Sequence, residues 1–274
     1  MRANAPGTLA WVNARSALFD LYGDHLSARG GAAPVSALVR LLSPLGIAAP
    51  AVRTAVSRMV RQGWLTATRL PTGPGYAMTP RAARRLDEAS ARIYRTHEAE
   101  WDGRWQLLVT ARIADRGVRE RLRAGLGYLG YAQLDDSTWI APRHSDELDL
   151  LLETERVRSE RFTALHDGDA LGLVARAWDL DLLSRSYVRW LADAEDLVAV
   201  AGTDPSDEEA FAVRSRLVHE WRKFLFTDPG LPRVLLPAGW PGTKAAEFFD
   251  AESRRLLPAA SRFVDDCLAA KSER

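Results

Sequence analysis

Residues 14–79 carry the pattern that most constrains this chain. Three short apolar faces at helical spacing, each closed by glycine or proline, precede two strand-like runs around a Gly/Pro turn. Ala14, Ala17, Leu18, Leu21 and Tyr22 share one helix face, and Gly23 follows near its end. Val35, Leu38, Val39, Leu41 and Leu42 make a second face, with Pro34 where a first helical turn tolerates it. Pro44 and Gly46 then break the chain. A third helix is expected from Pro50 to Gln62, burying Val52, Ala55, Val56 and Met59 and stopping at Gly63. Trp64–Arg69 and Tyr76–Thr79 read as strands around the turn segment Pro71–Gly75.

The rest of the chain separates by pattern. Residues 80–98 read as one connector helix with a basic start (Arg81, Arg84, Arg85), closing before the Trp101-Asp102-Gly103 turn. Region 101–167 reads strand, helix, strand, strand, helix, strand: Trp105–Ala111, Val118–Leu126, Tyr128–Leu134, Thr138–Ala141, the face of Leu148, Leu151 and Leu152, and Arg158–His166. That order is the ferredoxin-like split βαβ arrangement. From 168 the pattern is helical. Asp204-Pro205 opens one long helix with Asp207, Glu208 and Glu209 in its first turn, where the macrodipole favours acids. It is expected to end near Asp228-Pro229-Gly230, and a final helix begins at about Thr243. The expected class is α+β, divided as 1–80, an 81–100 connector, 101–167 and a helical 168–274.

A net charge of +1 conceals a split. Residues 1–98 hold thirteen arginines, no lysine and five acids, a net +8, whereas residues 99–274 carry a net −7. A basic module joined to an acidic one is expected where one end meets a polyanion, although arginines on solvated helix faces give the same sum. The third helix makes the polyanion specific. With its apolar residues buried, its other face presents Arg53, Thr54, Ser57, Arg58 and Arg61, and Arg53, Ser57 and Arg61 stack four apart. Arginine can read guanine bidentately, and small hydroxyls serve base edges or phosphates. Arg69 and Tyr76 flank the following turn on a hairpin suited to touching a DNA backbone. The expectation is a winged helix-turn-helix over residues 1–80, with a solvent-facing arginine stripe on an ordinary three-helix domain as the competing reading.

Several multi-residue runs carry a resemblance. They are Phe19-Asp20-Leu21-Tyr22-Gly23-Asp24, Leu41-Leu42-Ser43-Pro44-Leu45-Gly46-Ile47, Val52-Arg53-Thr54-Ala55-Val56-Ser57-Arg58-Met59 and Gly63-Trp64-Leu65. Trp101-Asp102-Gly103-Arg104-Trp105, His219-Glu220-Trp221-Arg222-Lys223-Phe224, Asp228-Pro229, Leu231-Pro232, Leu235-Leu236-Pro237 and Trp240-Pro241-Gly242 continue it in the same order. In these runs the chain resembles the PaaX family of phenylacetic acid degradation repressors along nearly its whole length. The resemblance implies a winged-helix domain whose recognition helix maps to residues 50–62, a central domain similar to the Cas2 ferredoxin-like fold, and a C-terminal helical domain. It also implies a homodimeric repressor of aromatic-catabolism genes on double-stranded operator DNA, released by an aryl- or acyl-CoA thioester such as phenylacetyl-CoA.

Other chemistries find little footing. A Cas2-like nuclease, the alternative reading, needs a carboxylate at the end of its first strand. Here that strand ends Thr110-Ala111-Arg112, the nearest carboxylate is Asp115, and no oxygen-ligand set for a divalent ion converges. His25, His97, His144, His166 and His219 are scattered, and none pairs at zinc spacing with another His or with Cys267. No nucleophile elbow or P-loop occurs, and Gly127–Gly130 is too sparse to cradle phosphate. No catalytic residue, metal or resident cofactor is expected. An acyl-CoA pocket would pair rings with cations, which Tyr187, Arg189 and Trp190 on one helix and Arg214, His219, Trp221, Arg222 and Lys223 on another can supply. Rings at helical spacing equally serve core or dimer packing. The single Cys267 fits a reducing cytoplasm. No apolar run approaches the roughly 20 residues of a membrane span. Leu9 and Trp11 near Arg2 make no sustained apolar segment, so a signal peptide is not expected.

Overall fold

The computed structural model describes residues 13–93 and 101–270, a mixed helix-and-sheet chain. The described residues group into two compact units: residues up to 93 with 188–222 and 244–270 form one, and 101–187 with 223–243 form the other. The chain after 168 is therefore shared between both. Arg2, Leu9, Trp11, His97 and the part of the expected connector beyond Ile93 lie outside the described residues.

The first unit opens with α1 (Ala14–Leu21), whose N-cap Asn13 accepts the Ser16 N–H at 3.0 Å. The helix widens into a π-turn, Tyr22–Leu26, that places Tyr22, His25 and Leu26 all in the interior. Next come β1 (Ala32–Pro34), α2 (Val35–Leu42), α3 (Ala49–Arg61), β2 (Leu65–Leu70), β3 (Gly73–Met78) and α4 (Pro80–Ile93). Gly46 and Gly63 adopt φ of +76° and +72°, which lets the chain reverse on either side of α3 without a Cβ penalty. The sheet runs β1-β3-β2, all antiparallel. Two expectations change here. The hairpin is tighter than the Pro71–Gly75 segment suggests, because Leu70 already pairs with Gly73. Strand β1 has no sequence counterpart, since three residues carry no readable alternation and exist as a strand through pairing with β3. Gly75 makes that pairing possible: a Cβ there would lie 2.6 Å from the Ala33 carbonyl oxygen.

In the second unit β4 (Trp105–Thr110), α5 (Arg116–Tyr128), β5 (Ala132–Gln133), β6 (Thr138–Ala141), α6 (Leu148–Glu155) and β7 (Ser159–Ala164) follow in order. The antiparallel sheet runs β5-β6-β4-β7, so each helical crossover passes over an intervening strand. The expected strand Tyr128–Leu134 shrinks to Ala132–Gln133, because Leu122 and Leu126 carry the helix on to Tyr128. Gly130 turns the chain at φ +86°, with a Cβ excluded by the Pro229 carbonyl oxygen at 2.6 Å. A short helix, α7 (Ala170–Ala177), is capped by Asp169.

Helix α8 (Leu180–Ala201) contributes residues through Tyr187 to the second unit and from Val188 to the first. Helix α9 (Asp207–Trp221) starts at a capping box of Ser206 and Glu209, just past the expected Asp204-Pro205 opening. It gives way to a 3-10 turn at Arg222–Phe226. Helix α10 (Pro241–Ala269) closes the described chain. Phe211 of α9 and Ala260, Val264 and Cys267 of α10 share one core with Leu18, Leu38, Leu41, Leu42 and Val52. No helix among the described residues is long and apolar enough to cross a membrane.

Candidate nucleic-acid interface

Helix α3 divides as its sequence dictates. Val52, Ala55, Val56 and Met59 are at most 6% exposed, while Arg53, Thr54, Ser57, Arg58 and Arg61 are all exposed. Among the described residues the three arginines form no ion pair, so their guanidinium donors face solvent. Thr54 spends its hydroxyl hydrogen on the Pro50 carbonyl oxygen at 2.9 Å, which leaves its oxygen as an acceptor. The buried side holds α3 rigidly, and the solvated side offers cations and hydroxyls at one helical repeat. That is the division a groove-inserting helix needs.

The hairpin separates its two candidates. Arg69 is exposed beside Pro74 of the paired strand. Tyr76 is half-buried and packs against the core. Its carbonyl oxygen accepts the Tyr22 hydroxyl at 2.9 Å, and burial pushes the Tyr22 phenol pKa upward.

The eight C-terminal candidates fall into two groups. Tyr187 and Lys223 belong to the second unit; Arg189, Trp190, Arg214, His219, Trp221 and Arg222 belong to the first. Tyr187 is fully buried, stacked on Phe224 at 4.1 Å with its hydroxyl donating to the Asp228 carboxylate. Lys223 and Arg189 are exposed. Trp190 packs against Trp221 at 4.7 Å, and Trp221 stacks on Phe249 at 4.8 Å. These rings fill the space among α8, α9 and α10 by direct contact.

The cations of α9 turn toward α1. The Arg214 guanidinium pairs with Asp24, and its Nε donates to the Ser253 carbonyl oxygen at 3.0 Å. Burial pulls the Arg214 pKa down to about 10, which leaves it charged at neutral pH. His219 Nδ1 lies 2.7 Å from Asp20 Oδ2, and Arg222 binds the other oxygen of the same carboxylate. Beside them His25 is 1% exposed, and burial, reinforced by Arg29, lowers its pKa to about 4. Two further contacts tie the N-terminal residues to α10: Arg29 with Asp265 at 2.7 Å, and Arg40 of α2 with the Cys267 carbonyl oxygen. Sequence reasoning missed Asp20 and Asp24. Their signal was present as two acids one turn apart in an otherwise basic segment.

Asp115, the carboxylate nearest the end of β4, caps α5 and accepts the Val118 N–H at 2.8 Å. Among the described residues no three His, Cys, Asp or Glu side chains gather as a metal ion would require.

Comparison with known proteins agrees along the chain. Residues 13–82 match the family described as PaaX-like protein, residues 98–170 the PaaX protein central Cas2-like domain, and residues 178–266 the PaaX-like protein C-terminal domain. Transcriptional repressor PaaX of Escherichia coli (strain K12) is 29% identical over 266 residues, covering 93% of this chain and 84% of the relative. Among solved structures, an uncharacterized protein, Rv0674 from Mycobacterium tuberculosis, superposes with a TM-score of 0.63 at 26% identity, covering 93% of this chain and 98% of that one. With three matches in the family's own order across most of its length, the chain belongs to the PaaX-like family.

Proposed function

We propose that this protein is a DNA-binding transcriptional repressor whose first 80 residues work as a winged helix-turn-helix, with α3 as recognition helix and the β2–β3 hairpin as wing. The observation that carries the reading is α3 itself: four buried apolar anchors on one side, and Arg53, Ser57, Arg58 and Arg61 exposed on the other. The name of the Escherichia coli relative and the +8 charge of residues 1–98 support it independently. Arg53, Arg58 and Arg61 supply base-edge and phosphate contacts, Thr54 and Ser57 supply hydroxyls, and Arg69 with Tyr76 lies on the wing.

In this division of labour residues 81–100 connect, 101–167 form a ferredoxin-like, Cas2-like domain, and 168–274 bind the effector and dimerise. The protein acts in the cytoplasm as a regulator rather than an enzyme. A homodimer is expected because one helix touches too few base pairs for genomic specificity. An aryl- or acyl-CoA that weakens DNA binding is the effector class the family resemblance implies.

The test is a mobility-shift series against the promoter of the chain's own operon at several salt concentrations. Tight binding of one promoter fragment, a log–log salt slope of several units and release by a CoA thioester would support the reading. Promoter affinity equal to that for random duplex, with no salt slope, would end it.

A further inference from the structure

A row of four side chains crosses the surface of the first unit. Arg15 lies over the Phe19 ring, its guanidinium carbon 5.6 Å from the centroid. Phe19 meets Trp64 edge to face at 5.1 Å and 82°. Arg81 lies over Trp64 at 4.7 Å. Both rings are half-buried, and both arginines are exposed with no ion pair among the described residues.

The row sits at the junction of the elements that carry the proposed DNA contacts. Trp64 lies between α3 and β2, and its backbone N–H donates to the Met59 carbonyl oxygen in the last turn of α3 at 2.9 Å. Thr79, just before α4, is tied to the same junction: its hydroxyl donates to the Gly63 carbonyl oxygen at 2.8 Å and its N–H to that of Trp64 at 3.1 Å. Those bonds set Arg81 against the ring. A guanidinium laid on an aromatic face gives up little solvation there and keeps its in-plane N–H donors free along its edges. Its orientation is also set before any ligand arrives, so less side-chain entropy is lost when it binds. Phosphate oxygens, like carboxylates, are anions that such a planar, bidentate donor fits. The nearby acids of the chain, Asp20 and Asp24, are engaged by His219, Arg222 and Arg214.

We infer that Arg15 and Arg81, held on the Phe19–Trp64 pair, form a second phosphate-binding surface that grips the duplex backbone beside the recognition helix. This rests on the proposed DNA-binding reading. Its contribution is independent of base sequence, because phosphates carry no sequence information.

The full-length protein, Arg15→Ala, Arg81→Ala, the double variant and Arg81→Lys would be titrated with a fluorescent 30-base-pair random-sequence duplex between about 50 and 200 mM KCl, with melting temperatures alongside. Each alanine variant should lose roughly threefold to tenfold in affinity. The slope of log K against log salt should fall by about 1 for each, with melting temperature unchanged. Arg81→Lys should recover part of the loss. Wild-type slope and affinity in the double variant would overturn the inference while leaving α3 as the reading element. Full recovery by Arg81→Lys would remove the role given to the ring, and a lower melting temperature with an unchanged slope would make the row a packing device. If the wild-type protein itself shows no salt-dependent binding, the DNA-binding reading fails instead.

Discussion

Arginine does opposite work in α3 and α9. In α3, Arg53, Arg58 and Arg61 are exposed and form no ion pair among the described residues. In α9 and just after it, Arg214 is tied to Asp24 of the π-turn and Arg222 to Asp20 of α1, with Arg214 only 3% exposed. The exposed set costs the fold little and leaves charge available to a polyanion. The buried set is expensive to desolvate and adds little net stability, but it rejects any packing of α9 that leaves a charge unpaired. The arginines of these two helices thus divide into a set left open to solvent and a set that holds α9 against the end of α1 and the turn that follows it.

Breaking the buried side should have the largest effect. Arg214→Ala leaves the Asp24 carboxylate buried without its partner and should cost about 3–5 kcal/mol in denaturant unfolding. The double change Asp24→Leu, Arg214→Met should recover most of that, and failure to recover would mean the pair itself is stabilising. His25 gives a pH-dependent effect of the next size. Its pKa is near 6.5 unfolded and about 4 folded. The unfolded chain therefore binds more protons between those values. Stability from this group is complete above pH 6.5 and declines as pH falls toward 4, by at most about 3 kcal/mol. Denaturant midpoints at pH 7, 6, 5 and 4 should show this limb in the wild type and a flatter one in His25→Gln; parallel curves would contradict it.

The exposed side should respond in binding and not in stability. Arg58→Ala is expected to weaken promoter binding by roughly tenfold or more, within the 1–3 kcal/mol range of a base-reading arginine, with an unchanged melting temperature. A destabilised protein that still binds normally would move α3 to the structural side of the contrast. The smallest effect belongs to Arg262, which meets Asp207 at 2.7 Å on the exposed surface. Arg262→Ala should leave the unfolding midpoint unchanged, because exposed pairs trade Coulomb energy for side-chain entropy and solvent screening.

What was legible in the sequence was local. The α3 anchors Val52, Ala55, Val56 and Met59 follow from 3.6-residue periodicity, and all four are buried. The order of strands and helices in 101–167 was readable from short apolar runs and helical spacing, and the acidic first turn of α9 from the helix-dipole preference. Strand β1 was not, because a three-residue strand depends on the partner that Gly75 admits. The aromatic row was not, because Arg15, Phe19, Trp64 and Arg81 lie on separate elements.

By itself the sequence determined the inward faces of the first three helices, where glycine and proline turn the chain, and that thirteen of its arginines fall in the first 98 residues. Only the tertiary structure decided which charges stay free. Asp20 and His219 are 199 positions apart, and no periodicity connects them until α9 packs on α1. Periodicity acts through neighbours within a turn or two, whereas the pairing of a charge depends on which distant element excludes water from it.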